Sequence, residues 1–90
     1  MFYVYVLKST TAKKHYIGQT SDVQRRLQEH NSGESRYTSA HMPWELVYSE
    51  EYETRSEAMK REKYLKSYPG RKWLFTEKLN GLAETNPISD

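Results

Sequence analysis

Tyr3-Val4-Tyr5-Val6-Leu7 and His15-Tyr16-Ile17-Gly18, separated by a short polar interval, have the pattern of two paired β-strands. Phe2 to Leu7 is continuously apolar or aromatic and partly β-branched, the pattern of a short strand covered on both faces. Lys14 to Gln19 predicts a second strand, and Ser9-Thr10-Thr11-Ala12-Lys13 reads as the polar hairpin loop that joins them. A hairpin symmetric about the Thr10–Thr11 bond places Tyr5 directly opposite Tyr16, on one face, with Cβ atoms about 5 Å apart. The two phenols can then converge on one point without any long-range coincidence.

Working outward, Ser21 or Thr20 is expected to cap a helix from about Asp22 to Asn31, with Asn31-Ser32-Gly33 as its stop. Val23 and Leu27 point to the core, while Arg26 and His30 form a neighbouring stripe at the helix edge. Glu34 to Trp44 is polar and aperiodic, a surface loop ended by Pro43. Glu45 to Tyr52 alternates as a third strand, Leu46 and Tyr48 on one face and Val47 on the other. Thr54-Arg55-Ser56-Glu57 has the form of a capping box and opens a helix to about Tyr68, where Pro69-Gly70 breaks it. A last helix from about Arg71 to Leu79 carries Trp73, Leu74 and Phe75, and Asn80-Gly81 ends it. The expected fold is α+β, a three-stranded antiparallel or mixed sheet flanked by helices in the order β-β-α-β-α-α. One domain is expected over 1–82, with a polar, frayed tail over 83–90.

At 90 residues the chain is one small domain, able to bury only about 60% of its unfolded surface. It has no cysteine, which excludes disulfide staples and thiolate metal sites. No apolar run is long enough to span a membrane, and the start lacks the features of a secretory signal, so a cytoplasmic protein without membrane contact is expected. A net charge of +2 is too small for a tight, non-specific DNA binder and suits transient contact with nucleic acid. Eight tyrosines and two tryptophans are many for this length; some could stack bases, but most are expected to fill a thin core.

The chemistry-bearing groups are two tyrosines, an arginine, a histidine and a carboxylate. Tyrosine relays protons, arginine holds a phosphate through paired hydrogen bonds, and histidine donates to or accepts from an adjacent oxygen. Glu62 stands four residues after Ala58 and three before Leu65, on an inward stripe of its helix. A carboxylate there costs several kcal/mol unless it is paired or binds a cation. Pairing with Lys66 is the plain alternative to a metal. Arg26 could likewise be a solvated arginine pairing with Asp22.

Tyr3-Val4-Tyr5, Tyr16-Ile17-Gly18, the run Asp22 to Asn31, Ala58 to Glu62 and Leu65-Lys66, in this order and spacing, resemble the GIY-YIG nucleases, in particular small stand-alone proteins of that type. The resemblance runs from Phe2 to about Leu79. It implies a Mg²⁺- or Mn²⁺-dependent DNA endonuclease in which Glu62 is the single protein ligand of the metal, a role that suits Mg²⁺ because it keeps its waters. It further implies that Arg26 holds the phosphate, that one of Tyr5 and Tyr16 helps activate water while the other orients it, and that His30 hydrogen-bonds near the base. Gly18, Arg25 and Lys66 are expected to meet the substrate, Gly18 by close backbone approach. Tyr3 stands where the family usually has glycine, and a late family asparagine could be Asn80 or Asn86. The expected partner is DNA, branched or damaged, in repair or recombination, and the expected state a monomer. The rival readings are a nucleic-acid-binding module with vestigial chemistry and an interaction domain that recruits a nuclease or repair partner.

Overall fold

The computed structural model describes residues 1–79 and the backbone of Pro87–Ile88. In chain order the elements are β1 (Phe2–Ser9), β2 (His15–Thr20), α1 (Val23–Asn31), β3 (Trp44–Tyr52), α2 (Arg55–Lys66), α3 (Tyr68–Trp73) and β4 (Pro87–Ile88). A short 3₁₀ turn at Ser39–His41 precedes β3, and a π-helical turn at Leu74–Lys78 extends α3. The sheet order is β3-β1-β2-β4. Its first three strands are antiparallel, and β4 pairs in parallel with His15 and Tyr16 of β2. This is the α+β, helix-flanked sheet expected from the hydrophobic pattern. Of the 83–90 tail, only the backbone of Pro87–Ile88 lies among the described residues, where it pairs with β2.

Alternation along β1 builds two separate cores. Val4 and Val6, with Ile17 of β2, face Ala58 and Leu65 of α2 and Leu74 and Phe75 beyond α3, all buried. Tyr5 and Leu7, with Tyr16 and Trp44, face the other way and are covered by Val23 and Leu27 of α1 together with Met42 and Leu46. The β1–β2 register differs from the symmetric hairpin: Tyr5 pairs with Gly18, and Tyr16 pairs with Leu7. A slip of two residues preserves the face, because side chains alternate with period two. The tyrosines are therefore diagonal neighbours, ring centroids 5.9 Å apart, rather than a directly opposed pair.

β3 carries a second correction. The β1–β3 register shifts between Val6 and Leu7, which pair with Tyr48 and Leu46 and leave Val47 as the bulged residue. Tyr48 and Val47 consequently pack against the α2-side core while Leu46 packs with the tyrosines. Glu50, on the same strand, accepts hydrogen bonds from the hydroxyls of Tyr48 (2.5 Å) and Tyr52 (2.7 Å) and from both edges of Arg61 of α2 (2.8 and 3.1 Å). Burial disfavours the charge on Glu50, but these donors outweigh it and hold its pKa below the usual carboxylate range. The same contacts, with burial foremost, push Tyr48 and Tyr52 up to about 12.

Helix ends follow the expected chemistry with shifts of a residue or two. The N-cap of α1 is Asp22, whose side chain accepts from the Arg25 amide at 3.1 Å; Thr20 instead accepts from the Asp22 amide. Gly33, at φ 84°, closes the C-terminal side in the left-handed conformation that favours glycine. Both halves of the Thr54/Glu57 capping box are formed. α2 stops at Lys66, not Tyr68, because Ser67 serves as the C-cap of α2 and the N-cap of α3. Pro69 thus starts a helix in its first turn instead of only breaking one.

Candidate active site

Tyr5 and Tyr16 are brought together by the pleat, and α1 lies across them. Gly18 makes the arrangement possible. A Cβ at this position would stand 2.8 Å from the Tyr5 hydroxyl and 2.8 Å from Tyr16 Cε1. Both rings therefore lie across bare backbone. On the side a Cβ would take, the space at Gly18 is filled by the two phenols.

Arg26 and His30, four residues apart on α1, both lie near the phenols. The Arg26 guanidinium donates to Glu29 Oε1 at 2.9 Å and lies near enough to both phenols for them to favour its charge. Burial alone would lower the Arg26 pKa, but Glu29 and the two phenols outweigh it and hold the guanidinium firmly charged. Glu29, not Asp22, is thus its acidic partner. His30 is wholly buried: Nε2 lies 3.1 Å from the Tyr5 hydroxyl, Nδ1 lies 2.7 Å from the Thr38 hydroxyl, and the ring centroid is 4.6 Å from that of Tyr16. Arg25 points outward, 77% exposed, and donates to the other oxygen of Glu29 at 3.2 Å.

Thr38 was not foreseen as part of this cluster. It lies in the polar stretch read as a surface loop, yet it is fully buried. The stretch is pinned at several points. The Asn31 side chain donates to the Trp44 carbonyl at 2.9 Å and accepts from the Trp44 amide at 2.5 Å. The Trp44 indole donates to the Thr38 carbonyl at 2.9 Å, and the Ser9 hydroxyl donates to the His41 carbonyl at 2.7 Å. A tryptophan beside an aperiodic polar run was the available signal that the run folds inward. Tyr3, at the family's glycine position, is accommodated in an open groove with Asp22, Val23 and Leu46.

Glu62 comes from α2, whose Ala58 and Leu65 pack with Val4, Val6 and Ile17. α2 covers the sheet face opposite the tyrosines, and the described partner of Glu62 is Lys66, whose ammonium donates to Oε2 at 2.8 Å. Its side chain is 23% exposed, so it lies between the buried stripe and the solvent face. Among the described residues no group of three or more His, Asp or Glu could hold a metal ion. That donor set fits a single-carboxylate site, in which a hard cation keeps most of its waters, and does not fit an all-protein cage. Lys66, expected to meet substrate, sits beside that carboxylate. Asn80 and Asn86 lie outside the described residues.

Charge distribution adds a feature that the net charge conceals. Residues 55–78 hold eight of the fourteen Lys and Arg residues and only three of the twelve acidic ones. The segment that forms α2, α3 and the following turn is therefore basic within an almost neutral chain.

Comparison with known proteins agrees with the geometry. The GIY-YIG catalytic domain matches residues 1–73. A UPF0213 protein of Haloquadratum walsbyi is 45% identical over 67 residues, covering 73% of this chain and 74% of its own. A UPF0213 protein of Staphylococcus aureus is 42% identical over 73 residues, covering 80% and 88%. The solution NMR structure of the UPF0213 protein BH0048 from Bacillus halodurans matches with a TM-score of 0.50 and 32% identity, covering 94% of this chain and all of that one. Among the described residues no helix is long and apolar enough to cross a membrane. A nuclease-type fold, the paired phenols with Arg26 and His30 beneath them, and these relatives agree: the chain belongs to the GIY-YIG family, within its small UPF0213 proteins.

Proposed function

We propose that the protein is a divalent-metal-dependent endonuclease that hydrolyses phosphodiester bonds in DNA, acting in repair or recombination on branched or damaged substrates. The observation that carries this reading is the cluster on the α1 face of the sheet. There two phenols meet a guanidinium and an imidazole held at fixed positions by one helix. Arg26, kept charged and fixed by Glu29, would neutralise charge developing on the phosphorus. One of Tyr5 and Tyr16 would take a proton from the attacking water and the other would orient that water. A free phenol, with a pKa near 10, is a weak base at neutral pH, so N–H donors at its oxygen favour its ionised form. Glu62 would hold the Mg²⁺ or Mn²⁺, which when bound supplies charge stabilisation to the phosphate and the leaving oxygen. The basic segment of α2 and α3 supports a nucleic-acid substrate, with Arg25 and Lys66 as further phosphate contacts. A cytoplasmic monomer completes the reading.

The test is cleavage of plasmid and branched DNA with Mg²⁺ or Mn²⁺ by the wild type beside Glu62→Gln. The amide keeps the shape and removes the charge, so the variant is expected to fold normally, lose cleavage and lose the Mn²⁺-induced NMR broadening centred on residue 62. Equal cleavage and equal broadening in both proteins would remove Glu62 from the site.

A further inference from the structure

The imidazole of His30 sits between two hydroxyls, and which ring nitrogen carries the hydrogen decides what Tyr5 receives. Thr38 resolves the choice by accounting. Its side chain is sealed from solvent, and among the described residues its hydroxyl has one hydrogen-bond partner, His30 Nδ1 at 2.7 Å. A buried hydroxyl hydrogen left without an acceptor is costly, and here Nδ1 is the acceptor available. The 2.7 Å separation suits an O–H donor, and the 3.1 Å between Nε2 and the Tyr5 oxygen falls in the range of an N–H donor.

Resting on the nuclease reading above, we infer that Thr38 is a positioning residue: it donates to His30 Nδ1 and so fixes the tautomer in which Nε2–H donates to the Tyr5 phenol oxygen. α1 then supplies an N–H donor to Tyr5 through His30, while the charged Arg26 of the same helix lies near both phenols. The Nε2–H donor then favours the ionised form of the Tyr5 oxygen, the form that could take a proton from an attacking water. The backbone supports this assignment: the Trp44 indole bonds the Thr38 carbonyl, so the residue that sets the tautomer is held from both sides.

The experiment is long-range ¹⁵N NMR of the His30 ring in the wild type, Thr38→Val and Thr38→Ser, with single-turnover cleavage measured on the same samples. The wild type and Thr38→Ser are expected to show one neutral tautomer with Nε2 protonated. Thr38→Val, similar in shape but without the hydroxyl, is expected to show mixed or inverted tautomers and cleavage slowed at least tenfold at saturating DNA, with serine restoring the rate. A wild-type ring protonated at Nδ1, or at both nitrogens, overturns the inference, as does an unchanged tautomer in Thr38→Val. The NMR result needs no turnover, so an inactive protein with the Nε2–H tautomer would defeat the nuclease reading and leave the role of Thr38 standing.

Discussion

Replacing Gly18 by alanine adds one methyl group at the point where both phenols cross the sheet. That Cβ would lie 2.8 Å from Tyr16 Cε1, 2.8 Å from the Tyr5 oxygen and 2.9 Å from Tyr5 Cζ. Carbon pairs rest at about 3.5 to 4.0 Å, so the rings must retreat by something on the order of 1 Å. Neither has slack, because Tyr5 is 1% exposed and Tyr16 2% exposed. The Tyr5 oxygen is also held at 3.1 Å from His30, so its retreat strains that contact. Two effects of opposite sign compete. Alanine in a strand interior gains about 0.5 to 1 kcal/mol over glycine in backbone entropy, while forcing a methyl into a packed core costs about 1 to 3 kcal/mol. The clash is the larger effect, leaving a net loss of up to about 2.5 kcal/mol and a Tm lower by up to roughly 10 to 20 °C for a domain of this size. A displacement of about 1 Å at reacting groups can cost about 100-fold in rate, so cleavage is expected to fall further than stability suggests. Circular-dichroism melting with single-turnover cleavage reads both quantities. A Gly18→Ala protein with raised Tm and wild-type rate would show that the rings are not packed against this backbone, and the close-approach argument would be wrong.

Arg26→Ala is expected to abolish cleavage with little loss of DNA affinity, whereas Arg25→Ala is expected to weaken binding modestly and flatten its salt dependence. Like behaviour of the two variants in paired turnover and titration experiments would refute the separate roles assigned to the half-buried, Glu29-paired Arg26 and the exposed Arg25. His15 gives a pH signature, because burial foremost and the charge of Arg71 push its pKa from 6.5 down to about 4. Above pH 6.5 the imidazole is neutral in both states and contributes nothing; as pH falls from 6.5 to 4 the unfolded chain binds a proton that the folded one refuses, and up to about 3 kcal/mol of stability is lost. Urea denaturation across that window should show a shallower decline for His15→Gln than for the wild type, and parallel curves would refute the assignment.

The strands, the helix order and the face shared by Tyr5 and Tyr16 were legible because each rests on local periodicity or on capping chemistry. The exact β1–β2 register was not, since a slip of two residues leaves the alternation unchanged. The bulge at Val47 was hidden for a related reason: an extra residue in one strand shows only against its partner, and it moves Tyr48 to the other core. Arg26 and His30 were singled out by their helical spacing together with the family resemblance, and the ion pair weighed as the alternative for Arg26 forms with Glu29, since Asp22 is used as the N-cap. Thr38 escaped because its burial depends on Asn31 and Trp44 gathering a polar loop, a tertiary effect with no periodicity to betray it. The inward stripe through Ala58 and Leu65 was correct, yet Glu62 sits at its margin, where Lys66 pairs with it. The net charge of +2 likewise concealed the basic segment 55–78, which counting by segment would have revealed.

The central claim is that the two phenols act in cleavage, and the most direct measurement compares single-turnover cleavage of end-labelled DNA in Mg²⁺ by the wild type and by Tyr5→Phe/Tyr16→Phe. The double variant keeps both rings and removes only the hydroxyls that meet His30 and Arg26. The account predicts wild-type products with 5′-phosphate and 3′-hydroxyl ends. It also predicts a variant that is folded by NMR yet slower by about 10²-fold or more, the usual contribution of general acid–base groups. A folded double variant that cleaves at the wild-type rate would contradict it.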